Sequence, residues 1–230
     1  MQKNGWAREY EEIKGTPSSL SSEASPAISY FVDFLKKSNA IVQGRLLDLG
    51  CGNGRNSIPL AKMGLEVYGI DFIPSALSMF VEKAASEGVD DKVHLIEGEL
   101  GKPLPYQKDF FDFSMDITSF DNLLKKSEIE VYISELGRVL KKGGLFLIQS
   151  FSKNDGYYGP LLGDSDMKGK GIVYDKNSGI RTKIYSQDDL AGIFGKRFQV
   201  LDSCLHKSKE IVYGREYGRV SFSMVLKNRR

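Results

Sequence analysis

From residue 25 onward, apolar runs of strand length alternate with segments whose apolar residues recur at helical spacing. Strands joined by helical crossovers pair in parallel and bury both faces of their sheet, so this pattern predicts an α/β chain with a mostly parallel sheet between two helical layers. The strands are expected at 45–49, 66–70, 93–96, 111–115 and 145–150. A first helix starts at Ser25 with Pro26 just inside it and buries Ile28, Phe31, Val32 and Leu35. A second runs toward Met63 and Gly64; because Pro59 lacks a backbone donor, it either begins near Asn56 and Ser57 or kinks. Pro74 opens a third, with Leu77, Phe80, Val81 and Ala84 as its apolar stripe and Gly88 as its stop. Ser127 and Glu130 have capping-box spacing ahead of Ile129, Ile133, Leu136 and Leu140, and Lys141, Lys142, Gly143 and Gly144 are expected to close that helix.

Past residue 150 the alternation breaks. A stretch over 151–185, rich in Gly, Asp, Lys and Tyr, is too long for an ordinary connection and is expected to be a functional flap. Residues 186–195 read as a short capped helix, 198–205 and 220–226 as an antiparallel pair joined by a loop around 213–219, and 228–230 as a frayed tail. With 230 residues, 41% of them hydrophobic, the chain can build one sizeable core, and no repeat or linker divides it. The expected organisation is one domain over 1–230: a cap segment at 1–30, a core at 25–150, the flap, and the helix and strand pair at 186–230.

Lys and Arg number 32 against 30 Asp and Glu, so a formal charge of +2 gives no field that would draw the chain onto nucleic acid or an acidic membrane. No run of about 18 apolar residues is present to span a bilayer, and the first fifteen residues lack the apolar centre of a signal peptide. Cys51 and Cys204, with His94 and His206, do not form a zinc-ligand pattern, so no metal is expected, and the setting that fits is cytoplasmic.

The segment Leu46-Leu47-Asp48-Leu49-Gly50-Cys51-Gly52-Asn53-Gly54 is an apolar strand running straight into a turn with glycine at alternate positions. Glycine tolerates backbone conformations that other residues resist and lets a ligand approach the main chain. The turn is placed at the carboxyl end of a central strand, where open α/β sheets bind ligands. A dinucleotide fingerprint needs a further glycine where this chain has Arg55. Asp71 ends the next strand, where a carboxylate can accept hydrogen bonds from both hydroxyls of a ribose. The expected ligand is therefore a nucleoside with no pyrophosphate to cradle.

These residues, DLGCGNG at 48–54 with GID at 69–71 and LKKGG at 140–144, resemble the class I S-adenosylmethionine-dependent methyltransferases, in matching order over roughly residues 25–150. The resemblance implies a seven-stranded sheet in a three-layer sandwich, with the closing strands antiparallel. It implies that Asp48 and the backbone of Gly50, Cys51 and Gly52 lie along the methionine part of the cofactor, that Asp71 holds its ribose, and that Asn53, Gly54 and Phe72 also belong to the cofactor site. Glu99 and Leu100 would meet the adenine, and Asp116 the methionine end or the start of the acceptor pocket. The implied cofactor is S-adenosylmethionine, its product S-adenosylhomocysteine, and the implied activity methyl transfer. A sulfonium donor already carries a good leaving group, so no dedicated protein nucleophile is needed.

For a general base the sequence offers Asp116, Tyr157, Tyr158 and His206 without ranking them. Cys51 reads as a small packing residue, since nothing near it would depress its thiol pKa, and His94 as structural. Trp6 and Tyr10, four residues apart, leave two roles open, an aromatic lid or packing onto the core. Met115-Asp116-Ile117-Thr118-Ser119 lacks the Pro-Pro-Tyr and Pro-Cys signatures of DNA-base methyltransferases. TPSS at 16–19 and GRN at 54–56 resemble the branch containing the tellurite-resistance methyltransferases, which favours a small-molecule acceptor. The alternatives are a protein or RNA acceptor, a nucleoside-binding module without turnover, and a nicotinamide-dependent oxidoreductase, which Arg55 argues against.

Overall fold

A computed structural model describes residues 2–11, 21, 23–38, 43–163 and 169–230. The TPSS segment at 16–19 and residues 164–168 of the expected flap lie outside them. The chain runs through α1 (Lys3–Glu11), α2 (Pro26–Lys37), β1 (Arg45–Leu49), α3 (Ser57–Lys62), β2 (Glu66–Asp71), α4 (Pro74–Ser86), β3 (Val93–Glu97), β4 (Phe111–Ile117), α5 (Lys126–Val139) and β5 (Leu140–Phe151). It then adds α6 (Tyr158–Leu161), β6 (Ile172–Asp175), β7 (Ile180–Lys183), α7 (Gln187–Phe194), β8 (Phe198–Val212) and β9 (Arg215–Asn228).

Seven strands form one sheet in the order β3-β2-β1-β4-β5-β9-β8. The first five are parallel, and β9 lies antiparallel between β5 and β8. The period of two along each strand feeds both helical layers. Leu47 and Leu49 of β1 enter a core with Tyr132, Leu136 and Phe146, whereas Leu46 enters the opposite one with Phe31, Leu35, Ala61 and Phe80. Phe31 and Phe80 are fully buried, and each such side chain stabilises the fold by about 1.5–3 kcal/mol. Strand order reverses between β1 and β4, which creates a crevice at their carboxyl ends. Ser25 caps α2 by accepting from the Ala27 N–H, and Pro59 sits in the first turn of α3, where its missing donor costs nothing.

Several local expectations are corrected. Ser127 and Glu130 form no capping box, because α5 starts one residue earlier behind Lys125 and leaves Ser127 inside the first turn. The capping box is instead at Ser186 and Asp189, opening α7. Leu140 is not on the helix face: α5 ends at Val139 and the chain passes directly into β5, with Gly143 at φ +77° accompanying an irregular register between β4 and β5. Val81 is 55% exposed, since the buried face of α4 is set by Ala76, Phe80 and Ala84.

The closing strands are much longer than expected. Only Tyr213 and Gly214, at φ +50° and +80°, separate β8 from β9, as a two-residue hairpin of right-handed strands requires. Within the expected flap the described residues form α6 and the β6–β7 hairpin. Asn228 is no frayed end: it is 1% exposed, and its amide donates to the carbonyls of Gly137, Leu140 and Lys141 at 3.1, 2.8 and 3.3 Å. Replacing Asn228 by alanine is expected to lower the free energy of unfolding by about 1–3 kcal/mol, measured by urea denaturation, because it strands buried carbonyls at the junction of α5 and β5.

Candidate active site

The loop after β1 is pinned to the end of β2: Gly50 and Cys51 donate their N–H groups to the Ile70 carbonyl at 2.8 and 3.1 Å. Gly50, Gly52 and Gly54 all adopt positive φ, at 78°, 52° and 76°. Space also demands glycine, since a Cβ on Gly50 would fall 2.2 Å from Ser119 Oγ and one on Gly54 2.1 Å from the Phe80 ring. Asp71, 8% exposed, accepts from Gly52 N at 2.9 Å and from Ile73 N at 3.0 Å, and so ties this loop to the one after β2. Burial pushes its carboxyl up, against the N–H groups that favour the charge.

Two cavities adjoin at the carboxyl ends of β1 and β4. The smaller, about 90 Å³, is lined by Gly50, Cys51, Gly52, Asn53, Asp71, Phe72 and Leu100 among the expected site residues. Trp6 and Tyr10 of α1 also line it, and a Cβ on Gly52 would fall 2.6 Å from the Tyr10 hydroxyl. The larger, about 600 Å³, lies beneath α1, α6 and the β8–β9 turn. Trp6, Arg55, Ile117, Thr118 and Asn122 line both. Thr118 stands at this junction with φ +66°, a strained conformation for a β-branched residue.

Helix α1 is held at several points. Gln2 and the Arg181 backbone exchange hydrogen bonds, Lys3 pairs with Glu97 at 3.3 Å, and Ser75 donates to Glu11 at 3.1 Å. The ion pair is exposed and adds little.

Asp48, Gly54, Glu99 and Asp116 line neither cavity. Asp48, 2% exposed, accepts from Ser57 Oγ at 2.6 Å. Asp116 is fully buried; one oxygen accepts from the N–H groups of Ser119 and Phe120, and the other from the Tyr132 hydroxyl. It shapes the loop after β4. Glu99 is exposed, while its neighbours Gly98 and Leu100 face the cavity.

Burial pushes the Asp48 carboxyl up to about 7, against the Ser57 hydrogen bond and with the Asp116 and Asp71 charges adding, and pushes Asp116 up to about 6. A folded-state pKa above the unfolded value gives stability that is present below the ordinary carboxylate range and lost as pH rises through the folded value. The melting temperature is therefore expected to fall between about pH 4 and about pH 7, and the fall to be smaller in Asp48→Asn, as differential scanning fluorimetry would show.

Tyr157 and Tyr158 line the larger cavity, and burial pushes both phenols far up, so at neutral pH they are hydrogen-bond donors and not bases. His206 lines neither cavity; its Nε2 lies 2.9 Å from Ser223 Oγ, its ring meets Tyr30 edge-on at 5.7 Å, and burial lowers its pKa. His94 sits at the surface, 3.0 Å from Glu66. Cys51 is buried and unbridged, with its thiol pushed up by burial. Sequence reasoning missed Glu9, Asp155, Asp175 and Arg219, which build the larger cavity or its wall. The available signal was that Glu9 shares one helix face with Trp6 and Tyr10.

A strand, glycine loop and helix at a topological switch point, with a buried carboxylate ending the next strand, define a nucleoside-binding α/β fold of Rossmann-like type. A family profile described as a methyltransferase domain matches residues 42–197, and the chain belongs to that family. It is 28% identical over 111 residues to the sterol 4-C-methyltransferase strm-1 of Caenorhabditis elegans, covering 48% of this chain and 32% of that protein. It is 32% identical over 130 residues to human EEF1A lysine methyltransferase 2, covering 54% of each. The chain thus spans between a third and about half of these curated relatives. A SAM-dependent methyltransferase from Methanosarcina mazei has the same fold, with a TM-score of 0.72 at 21% identity over 90% of this chain and 98% of that one.

The residues present fit S-adenosylmethionine, the cofactor that the sequence resemblance implies. Asp71 is an acceptor-only carboxylate suited to ribose hydroxyls, and Phe72, Ile73 and Leu100 give apolar surface for a planar base. Among the described residues, no group of three or more His, Cys, Asp or Glu could hold a metal ion, and no helix is long and apolar enough to cross a membrane.

Proposed function

We propose that this protein transfers a methyl group from S-adenosylmethionine to a small-molecule acceptor held in the larger cavity. The observation that carries this reading is the shared wall of Trp6, Arg55, Ile117, Thr118 and Asn122, which brings the contents of the two cavities into contact range. S-adenosylmethionine supplies an electrophilic methyl group and its own leaving group. What the chain supplies is orientation and dehydration: the glycine loop and Asp71 fix one reactant, and α1 with the aromatic wall of Trp6, Tyr157 and Tyr158 covers the other. A covered cavity of about 600 Å³ supports a small acceptor over a protein or RNA, although sterol and lysine both occur among relatives' acceptors.

Calorimetric titration tests the reading. Saturable binding of S-adenosylmethionine and S-adenosylhomocysteine, with none of NAD, is expected; NAD binding without either sulfur nucleoside would overturn it. Labelled methyl groups supplied with a cell extract should then appear in the low-mass fraction, and label confined to protein or RNA would displace the small-molecule acceptor.

A further inference from the structure

Arg55 stands where the two cavities meet. Its Nη1 donates to the Glu23 carbonyl at 2.9 Å, and Glu23 lines the larger cavity but not the smaller, which places that end of the guanidinium on the acceptor side. Among the described residues Nε and Nη2 donate to nothing, and neither is sealed off as Nη2 of Arg219 is. These two nitrogens share one edge of the planar group, the edge that meets a carboxylate through two parallel hydrogen bonds.

Among the described residues no ion pair reaches Arg55. Glu210, the carboxylate that acts on it most strongly, is committed elsewhere: Oε2 lies 3.1 Å from Arg219 Nη1 and Oε1 accepts from Ser208 Oγ at 3.4 Å. Burial lowers the Arg55 pKa from its ordinary value in spite of Glu210, as happens to a cation that has lost water without gaining a partner. Arg55 and Arg219 stand against Glu210 and Asp155, so this side of the cavity is balanced and an entering anion meets no net repulsion. The other carboxylates bordering the cavity lie apart from that edge, Glu9 and Asp175 beside the Tyr213 hydroxyl and Glu23 at the exposed surface.

A neighbouring part of the wall lacks acceptors too. Ser25 Oγ accepts from the Ala27 N–H at 3.2 Å and lies 2.5 Å from Gln149 Oε1, a separation that fits O–H···O and is too short for N–H···O, so Ser25 donates to Gln149. Gln149 Nε2 in turn donates to Ser221 Oγ at 2.7 Å. All three residues are buried and line the larger cavity. The donations run one way and end on the Ser221 hydrogen, which has no acceptor among the described residues. What the cavity lacks, at Arg55 and at Ser221 alike, is a lone pair.

We propose that the acceptor is a small carboxylic acid whose carboxylate lies on the Nε–Nη2 edge of Arg55. This rests on the methyl-transfer reading above. The guanidinium engages the lone pairs of that carboxylate, so the group anchors the acceptor and is not the part that is methylated.

The test uses the protein loaded with S-adenosylhomocysteine and follows the fluorescence of Trp6, its single tryptophan, which lines the cavity. The probes are matched acids and amides: benzoate with benzamide, phenylpropionate with phenylpropionamide, and hexanoate with hexanamide. At least one acid is expected to bind about tenfold more tightly than its amide, or better. Arg55→Gln is expected to abolish that preference, and Arg55→Lys, which keeps the charge without the flat edge, to reduce it. A second arm asks whose carboxylate Arg55 serves, by comparing S-adenosylhomocysteine with 5′-methylthioadenosine, the same nucleoside thioether without the amino acid. Both should bind the Arg55→Gln protein within about threefold of the unaltered one. A loss of about tenfold or more confined to S-adenosylhomocysteine assigns Arg55 to the cofactor and overturns the proposal. Absence of a preference for any acid, or a preference undiminished in both variants, overturns it as well. Failure of S-adenosylhomocysteine to bind the unaltered protein removes the methyltransferase reading itself; its binding without the acid preference removes only this inference.

Discussion

Replacing Asp71 by alanine is expected to weaken S-adenosylhomocysteine binding by at least about a hundredfold, because on the proposed reading it accepts from both ribose hydroxyls and two hydrogen bonds to a charged acceptor would be lost at about 1.5–3 kcal/mol each. The same change frees the N–H groups of Gly52 and Ile73, which Asp71 holds at 2.9 and 3.0 Å, and so loosens the glycine loop. Stability should change much less than affinity, since the substitution also removes a buried carboxyl whose charge burial disfavours. Calorimetry and thermal melting on one sample separate the two effects. An affinity within about threefold of the unaltered protein would show that Asp71 organises the loop without touching the nucleoside.

Replacing Asp155 by alanine is expected to produce the largest loss of stability, about 3–5 kcal/mol, because it leaves the Arg219 guanidinium buried without its inner partner. The two side chains are 0% and 2% exposed and meet at 2.8 Å. Asp155 also accepts the N–H groups of Tyr157 and Tyr158 on Oδ1 and of Val220 on Oδ2, so one carboxylate holds the start of α6 against β9. For a chain of this size the melting temperature should drop by roughly 6–20 °C. A drop of only one or two degrees would mean that solvent reaches the guanidinium, and the cavity wall would then be less closed than described.

The glycine-loop half of the candidate site was legible because its determinants are local. An apolar strand, alternate glycines and a carboxylate at the end of the next strand each declare themselves within a few residues, and the sheet order follows from the alternation of elements. The other half is built by contacts between distant parts of the chain. Glu9 meets Tyr213 and Asp155 meets Arg219, and no periodicity relates these positions. β8 was read as short because it is an edge strand: from Gln199 to Ile211 nothing on it is fully buried, so the backbone ladder to β9, and not an apolar pattern, specifies it. The capping box was misplaced for a related reason. Ser127 and Glu130 have the right spacing, but Ser127 lies inside the helix, whereas Ser186 stands at a true helix start with Asp189 in the reciprocal position.

Helix α1 covers both compartments, with Trp6 bordering each of them, Tyr10 on one side and Glu9 on the other. On the proposed reading donor and acceptor share a doorway, and a molecule in either compartment that steadies this helix would prepare the other. Thermodynamic linkage makes that help mutual: whatever factor an occupied nucleoside site adds to the acceptor's affinity, the acceptor returns in full to the nucleoside. A helix of nine residues, contributing little to the core, would in this way set the cooperativity between the two reactants.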